Sequence, residues 1–282
     1  MKVKLISDST CDLSPALLEK YNIAVTPLAV LLGGSSLRDG VDIKPDDIYD
    51  FVAQHGTLPK TSAVNVTEYA EVFQYWHDRG YAVVQFNISS DFSSSYQNAC
   101  IAAGKWDDVY VVDSRNLSTG QGLLVLHGAE MVQRGCSARE IYEACTALAT
   151  RVEASFVIDS VDYLYKGGRC SALAALGANI FNLKPCIEVR NGLMEPGKKY
   201  RGKIEKVVLD YVTDRLSGRR DIDPHRIFIT HTKCDPAMAL AVEALIREQI
   251  PDAEEVLETM AGCTVTTHCG ANTLGVLFIR KP

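Results

Sequence analysis

Five serines lie within seven residues at the end of a predicted strand. The apolar run at residues 82–88 leads directly into residues 89–95, which read Ser-Ser-Asp-Phe-Ser-Ser-Ser. Serine hydroxyls and the free amides at the start of a helix are neutral donors that suit a carboxylate or a phosphate. Asp91 is the one acid among them. The segment indicates an anion-binding loop, although for the serines alone a helix start rich in N-cap residues is a slightly better explanation.

Four other segments combine hydroxyls with charged or turn residues, at 7–12, 60–62, 113–115 and 261–270. Ligands of parallel sheets bind beyond the carboxyl ends of the strands, so the first three are expected to share an edge with the serine loop. His268, in the last segment, is the best candidate for charge chemistry because turn glycines and hydroxyls flank it. An ordinary hydrogen-bonded histidine remains the commoner case.

Metal, nucleotide and nucleophile chemistry have little support in the sequence. Cys263, His268 and Cys269 do not have a zinc-ligand spacing. We find neither a dinucleotide fingerprint, nor a P-loop, nor a Gly-x-Ser-x-Gly elbow. The lack of a complete acid, base and nucleophile set favours a binding protein over an enzyme. The alternative is a small-molecule enzyme, an acyl-transfer protein or a ketone-binding kinase-like subunit, that uses His268 or Cys269.

Composition indicates a cytoplasmic globular protein. The 282 residues include 29 Lys and Arg against 35 Asp and Glu, a formal net charge of −6, which argues against nucleic-acid binding. No apolar run approaches the ~20 residues of a membrane span, and the N-terminus becomes polar too early for a signal peptide. The nine cysteines are odd in number and mostly lie in apolar surroundings, which is typical of reduced thiols.

The first 160 residues alternate predicted strands and helices. Apolar or β-branched runs predict strands at 3–6, 25–32, 82–88, 109–112 and 155–158. Capping patterns predict helices after Ser14, Asn65 and Ser137, and a long apolar helix at 118–134. This pattern predicts an N-terminal three-layer α/β domain, residues 1–160, with a parallel sheet.

The pattern changes after residue 160. Asn191-Gly192 between apolar runs predicts a hairpin with a type I′ turn. Helices are expected at 172–178, 202–216 and 236–250, and strands at 226–230, 255–258 and 275–279. We therefore expect a second, C-terminal α+β two-layer domain at residues 161–282. Lys198–Lys203 together with Arg169 form a basic patch, either a solvated loop or a docking surface for a phosphorylated group or an acidic partner.

Short motifs occur over the whole chain. They are Ser7-Asp8-Ser9-Thr10-Cys11-Asp12-Leu13, Lys60-Thr61-Ser62, Ile88-Ser89-Ser90 with Ser93 and Tyr96-Gln97, Val112-Asp113-Ser114 with Gly120-Gln121-Gly122, residues 159–164, Lys166-Gly167-Gly168-Arg169, Lys184-Pro185, Arg201-Gly202-Lys203, and His268-Cys269-Gly270 with Thr273-Leu274-Gly275. In order and spacing they resemble the DegV family, the fatty acid-binding proteins also called FakB in some bacteria.

The resemblance implies a two-domain carrier that holds one long acyl chain, such as palmitate, stearate or oleate, between its domains, with no other cofactor and no metal. By position, the carboxylate contacts would be Thr61, Ser62, Ser93 and His268. It also implies a partner fatty acid kinase that phosphorylates the bound acid for phospholipid synthesis, so the carrier itself has no catalytic residue. Contact with a membrane surface would be transient.

Two further groups of residues receive expected roles. Burying a long chain requires a closed apolar tunnel, because each methylene gains ~0.8 kcal/mol on burial. Candidate lining residues are Phe92, Leu176, Ile180 and Phe181, although each of them also suits an ordinary core. Arg169, Arg201 and Lys203 are candidates for docking the partner or a phosphate.

The sequence departs from the family pattern at two places. The family often has Thr-Ser-Gln-Pro-Ser where this chain has Thr61-Ser62-Ala63-Val64-Asn65, and Ser-Gly-Thr-Tyr where it has Ser93-Ser94-Ser95-Tyr96. Losing the glycine adds a side chain where the backbone approaches a ligand, and losing the proline loosens a turn. Thr61, Ser62 and Ser93 are retained.

Overall fold

The chain forms three sheets with helices packed between and around them. The computed structural model describes residues 1–176 and 183–282, with side chains at 1–173 and 183–282. The strands of this part are β1 Lys2–Asp8, β2 Ala24–Thr26, β3 Ala29–Leu32, β4 Ser35–Arg38, β5 Lys60–Ser62, β6 Tyr81–Asn87, β7 Val109–Asp113, β8 Val152–Val157, β9 Lys184–Arg190, β10 Leu193–Tyr200, β11 Ile222–His231, β12 Glu255–Met260 and β13 Leu274–Arg280. The α-helices are α1 Pro15–Lys20, α2 Pro45–His55, α3 Val66–His77, α4 Ser95–Ala103, α5 Ser118–Gln133, α6 Ala138–Ala149, α7 Asp162–Gly167, α8 Ile204–Leu216, α9 Pro236–Gln249 and α10 Cys263–Cys269.

The first sheet is parallel, with strand order β2-β1-β6-β7. Its residues alternate between two cores, because successive side chains of a strand point to opposite faces. Ile6 and Val83 share a cluster with Tyr69 and Phe73 of α3. Leu5, Val84 and Phe86 instead join a cluster that contains the apolar residues of α5 and α6. The predicted three-layer arrangement around a parallel sheet is confirmed.

The strand predicted at 25–32 is in fact two strands in different sheets. β2 pairs with β1, whereas β3 pairs antiparallel with β4 and β5 in a small three-stranded sheet. Pro27 stands between them and lacks the N–H needed to continue a ladder. The prediction of one strand was therefore wrong, and the small sheet, which carries Thr61, was missed.

The second large sheet is mixed, with strand order β10-β9-β8-β13-β11-β12. The predicted hairpin is confirmed, with Asn191 at φ 52° and Gly192 at φ 86°, as a type I′ turn requires. β8 also belongs to this sheet, pairing with β9 and β13, although its sequence was assigned to the first domain. A buried apolar run does not reveal which sheet it joins. The limits 1–160 and 161–282 stay a prediction, and this pairing favours a boundary before β8.

Helix α5 lies between the two large sheets. Leu123, Leu124 and Leu126 belong to one cluster with Phe86 of β6 and Leu277 of β13. This position explains why the helix is apolar on every side instead of along one stripe. The other face of the second sheet is covered by α8 and α9, whose Val207, Tyr211 and Val242 pack on its strands. In the described ranges, no helix has the length and apolar character required to cross a bilayer.

Candidate functional site

Thr61 and His268 form a hydrogen-bonded pair although 207 positions separate them. Thr61 Oγ1 lies 2.9 Å from His268 Nε2. The threonine is held in β5 opposite Val30 of β3, and the histidine lies in the last turn of α10. The small three-stranded sheet and α10 thus bring a hydroxyl and an imidazole together.

The pair opens into a cavity of ≈50 Å³. Its polar lining includes Thr61, Ser62, Ser93, Arg169 and His268. The rest of the lining is largely apolar: Leu28, Ala63, Ile88, Phe92, Leu117, Met194, Thr264, Val265 and Cys269. Three hydroxyls, one arginine and one histidine therefore line a space that is otherwise largely apolar.

A second cavity, of ≈30 Å³, continues the first towards the second large sheet. Both are bordered by Leu117, Val265 and Cys269. Beyond these side chains the second cavity is lined by Phe156 and Leu277 among others. The two cavities are therefore neighbours, and these three buried side chains belong to the lining of both.

His268 is neutral at physiological pH. Burial, and secondarily the positive charge of Arg169, lowers the pKa of the imidazole to about 4. The Nδ1 atom is buried without a hydrogen-bond partner among the described residues and faces Gly167, where a methyl group would overlap it. A neutral imidazole has one donor and one acceptor nitrogen, so Nε2, the nitrogen beside Thr61, can either donate or accept depending on the tautomer.

Two buried aspartates hold the start of α10. Asp39 accepts hydrogen bonds from the amides of Cys263 (2.8 Å) and Thr264 (2.9 Å). Asp12 accepts one from the Gly262 amide at 2.8 Å and another from the Ser118 hydroxyl. Both acids are buried, and burial raises the pKa of Asp12 to about 8. The carboxyl oxygens of Asp39 and Asp12 accept from amides at the helix start that have no partner within the helix, so these contacts fix the short helix that carries His268.

Two hydrogen bonds fix the position of the serine loop, residues 89–95. Asp8 accepts a hydrogen bond from the Ile88 amide at 2.8 Å, at the point where β6 ends. Ser89 donates to the Gly192 carbonyl at 2.8 Å and so ties the loop to the hairpin turn. The hairpin in turn places Met194 in the cavity wall.

Comparison with known proteins places the chain in a family. The model of the DegV family of uncharacterised proteins matches residues 2–281. The chain belongs to the DegV family. DegV domain-containing proteins of Clostridium acetobutylicum and Caldanaerobacter subterraneus are 32% and 31% identical to it, over 99% of both chains in each case. The predicted family membership is confirmed.

Solved DegV structures share the whole fold. A DegV-family protein of Thermus thermophilus, described as binding fatty acid, is 27% identical, covers 99% of this chain and 100% of its own, and has a TM-score of 0.87. A stearic acid-binding protein of Eubacterium ventriosum is also 27% identical, with coverage of 99% and 98% and a TM-score of 0.83. These matches confirm the predicted α/β fold with a separate mixed-sheet part.

Only some of the residues proposed from the DegV resemblance line the same cavity. Thr61, Ser62, Ser93, His268 and Phe92 border one cavity, and Arg169 joins them there. Arg201 and Lys203 are exposed just after β10. Ile180 and Phe181 lie outside the described residues, as does the side chain of Leu176, which ends a 3₁₀ helix at Ser171–Leu176. Their assigned roles remain predictions.

Sequence reasoning missed α10 and several apolar wall residues. Residues 264–267 read Thr-Val-Thr-Thr, and three β-branched threonines with a valine do not suggest a helix. Leu117, Met194 and Val265 were not proposed as lining, because an apolar residue in the sequence carries no sign of which cavity it borders. In the hairpin, the alternation of side chains between the two faces of the strand is the only sequence feature that indicates an inward-facing Met194.

Cys269 borders the same cavity but is a poor nucleophile. Burial raises the pKa of its thiol to about 12, so little thiolate forms near neutral pH. In the described ranges, no group of three His, Cys, Asp or Glu side chains could hold a metal ion. The geometry thus gives no support to the acyl-transfer alternative.

Local hydrogen bonds compensate for the proline of the family pattern that is missing at Thr61-Ser62-Ala63-Val64-Asn65. Asn65 caps α3, accepting from the Glu68 amide at 3.0 Å while the Glu68 carboxylate accepts from the Asn65 amide at 2.9 Å. The predicted capping box is confirmed. Asn98 donates to the Val64 carbonyl at 2.8 Å, and the Val64 side chain is buried. These contacts hold the turn after Thr61 without a proline.

Proposed function

We propose that this protein binds a long-chain fatty acid and presents its carboxyl group to a partner kinase. The observation that carries the proposal is the Thr61–His268 pair in the wall of a largely apolar cavity. Support also comes from the Thermus and Eubacterium relatives, which bind fatty acids and share the fold at 27% identity.

The carboxyl group would be held by Thr61, Ser62, Ser93 and His268. A carboxylate taken out of water requires hydrogen-bond donors to offset its lost hydration. The hydroxyls supply them, and neutral His268 adds a ring nitrogen that donates in one tautomer. Arg169, at the cavity wall, contributes positive charge without closing a buried ion pair. No side chain here acts on the acyl group; the site binds and orients it.

The hydrocarbon chain would pass Leu117, Val265 and Cys269 into the second cavity. Cavities of 50 and 30 Å³ are far smaller than the ~300–1,000 Å³ of typical ligand pockets. Binding therefore requires these wall side chains to move apart. Each methylene that enters gains ~0.8 kcal/mol, which offsets the rearrangement more fully for a longer chain.

Denaturing extraction and mass spectrometry test the binding step. We expect protein purified from a bacterial host to carry a long-chain fatty acid, and delipidated protein to take up added palmitate. Cys269→Ala is the informative variant, because it removes the thiol and keeps the other polar groups. It should retain binding. Recovery of wild-type protein without acyl chains, together with no uptake, would refute the proposal, and a covalent acyl adduct at Cys269 would favour the enzyme alternative.

The kinase step is tested by charge reversal at the basic patch. Arg201 and Lys203 are exposed, whereas Lys198 is paired with Asp214 at 2.5 Å. Arg201→Glu with Lys203→Glu should leave fatty acid binding intact and abolish phosphorylation by a bacterial fatty acid kinase. Lys20→Glu with Lys105→Glu, two other exposed positions, gives the same charge change as a control. Phosphorylation of the patch variant at the wild-type rate would exclude this surface as the dock.

A further inference from the structure

A cleft of ≈640 Å³ lies beside the turn of the β9–β10 hairpin. Its walls come from the loop after β7, the end of α6, the first residues of β8, the last residues of β9 with the turn, and single positions of α8 and β13. We propose that this cleft binds a small phosphate monoester with a polar, non-aromatic body. The site does not depend on the proposed function, because no described residue lines both this cleft and the cavity beside Thr61 and His268.

The cleft lies where two neighbouring strands stop pairing. The described pairing of β8 with β9 ends at Ser155, which stands opposite Glu188. Residues 152–154 of β8 and 188–190 of β9 line the cleft on either side of this end. Typical ligand pockets have volumes of ~300–1,000 Å³. At ≈640 Å³ the cleft therefore has the size of a small-molecule site as it stands.

The lining is positively charged, although the protein has a net charge of −6. It contains four arginines against two glutamates, an excess of two positive charges: Arg115, Arg190, Arg215, Arg280, Glu153 and Glu188. A phosphate monoester carries about −1.5 to −2 at pH 7 and would balance this excess, whereas a single carboxylate would not. None of the described lining residues is aromatic, so a nucleotide base would find no ring to stack on.

Arg215 has a structural role in the cleft. Its guanidinium is largely buried and hydrogen-bonded to Glu153, and its Nη1 lies 3.4 Å from Glu188 Oε2. Arg219, which is not part of the lining, donates to both oxygens of Glu153 at 2.6 and 3.0 Å. Arg215 and Arg219 thus supply the cations that the two glutamates require without the arginines at the rim.

The three arginines at the rim keep donors for a ligand. Arg190 directs Nε and Nη2 to one oxygen of Glu188, at 3.1 and 2.7 Å, and Arg280 donates Nη2 to a backbone carbonyl at 3.1 Å. Their side chains are 61% and 45% exposed, and Nη1 of each makes no hydrogen bond to a described residue. Arg115 reaches the rim from the loop after β7 and donates to the Asn191 carbonyl. Guanidinium groups match phosphate oxygens in geometry and charge, and a cleft lined by one sign of charge strengthens their field.

Calorimetric titration with glucose 6-phosphate tests this site, with glucose and citrate as comparison ligands. We expect saturable binding of one glucose 6-phosphate per chain and no binding of glucose, which lacks the phosphate. Arg190→Gln removes a charge at an exposed position and should weaken the binding at least about tenfold, ~1.4 kcal/mol, because a hydrogen bond to a charged group is lost. Arg280→Gln should have an effect of the same size.

Arg247→Gln is the matched control. Arg247 is exposed and donates to a nearby glutamate, Glu243, at 2.9 Å, as Arg190 does, but it lies in α9 outside the cleft. This variant should bind glucose 6-phosphate with wild-type affinity. Circular dichroism checks the fold of each variant, and if one cleft variant does not fold, the other decides. Absence of glucose 6-phosphate binding, wild-type affinity in the folded cleft variants, or tighter binding of citrate would each overturn the proposal.

Discussion

Gly167→Ala is expected to reduce fatty acid affinity by about 10- to 100-fold, the range of one hydrogen bond to a charged group. A methyl group at this position would overlap Nδ1 of His268 and approach two of its ring carbons. The backbone of Gly167 does not have positive φ, so alanine itself is not strained there. The imidazole must therefore swing away, which separates it from Thr61 Oγ1 and removes one contact to the head group.

Overpacking of this kind typically costs ~1–3 kcal/mol, so the variant should remain folded. Calorimetric titration with palmitate measures the affinity, and thermal unfolding measures the stability. Gly104→Ala is the matched control: its φ is −60°, and a methyl group there meets only ordinary contacts at 3.5 Å or more. Wild-type affinity in the Gly167 variant would show that the position of His268 does not matter for binding.

A second large effect concerns the pH dependence of stability. The pKa of His268 is about 4 in the folded protein and 6.5 as an ordinary value. Between these values the unfolded chain binds a proton that the folded chain does not, so stability falls as the pH drops from 6.5 towards 4. The loss approaches about 3 kcal/mol at the lower end. Above pH 6.5 the contribution is complete and constant.

His268→Gln should remove this part of the pH dependence. Urea unfolding at several pH values between 4.5 and 7.5 gives the two profiles, and their difference isolates His268. His231 contributes a pH dependence of opposite sign, because hydrogen bonds to Cys234, Thr232 and Glu258 raise its pKa to about 9. His231 is present in both proteins, so its contribution cancels in the difference between the two profiles. His55→Gln, at an exposed position, should reproduce the wild-type profile. Parallel profiles for His268→Gln and wild type would contradict the assignment.

Local patterns predicted local structure well. Asn191-Gly192 predicted the hairpin, and Asn65 with Glu68 predicted a helix cap, because both signals depend on the backbone of a few neighbouring residues. The parallel first sheet followed from apolar runs alternating with capped helices. Pro27 was the overlooked local signal, since it separates β2 from β3.

Local sequence patterns could not predict which residues come together in the site. The contact between Thr61 and His268 joins positions 207 residues apart, and only the family resemblance suggested it. The wall residues depend on which strand lies beside which, as β8 illustrates by joining the second sheet.

Strand β13 occupies the middle of the second sheet, between β8 and β11, although it is the last described strand of the chain. Its neighbours are contributed by residues 152–157 and 222–231. Pairing over such sequence distances is slow, because the chain entropy of closing long loops is lost before the contacts form. β11 and β12 cannot join β8 until β13 arrives between them. The second sheet therefore closes only after residues 274–280 have paired, and α10 with His268 directly precedes that strand.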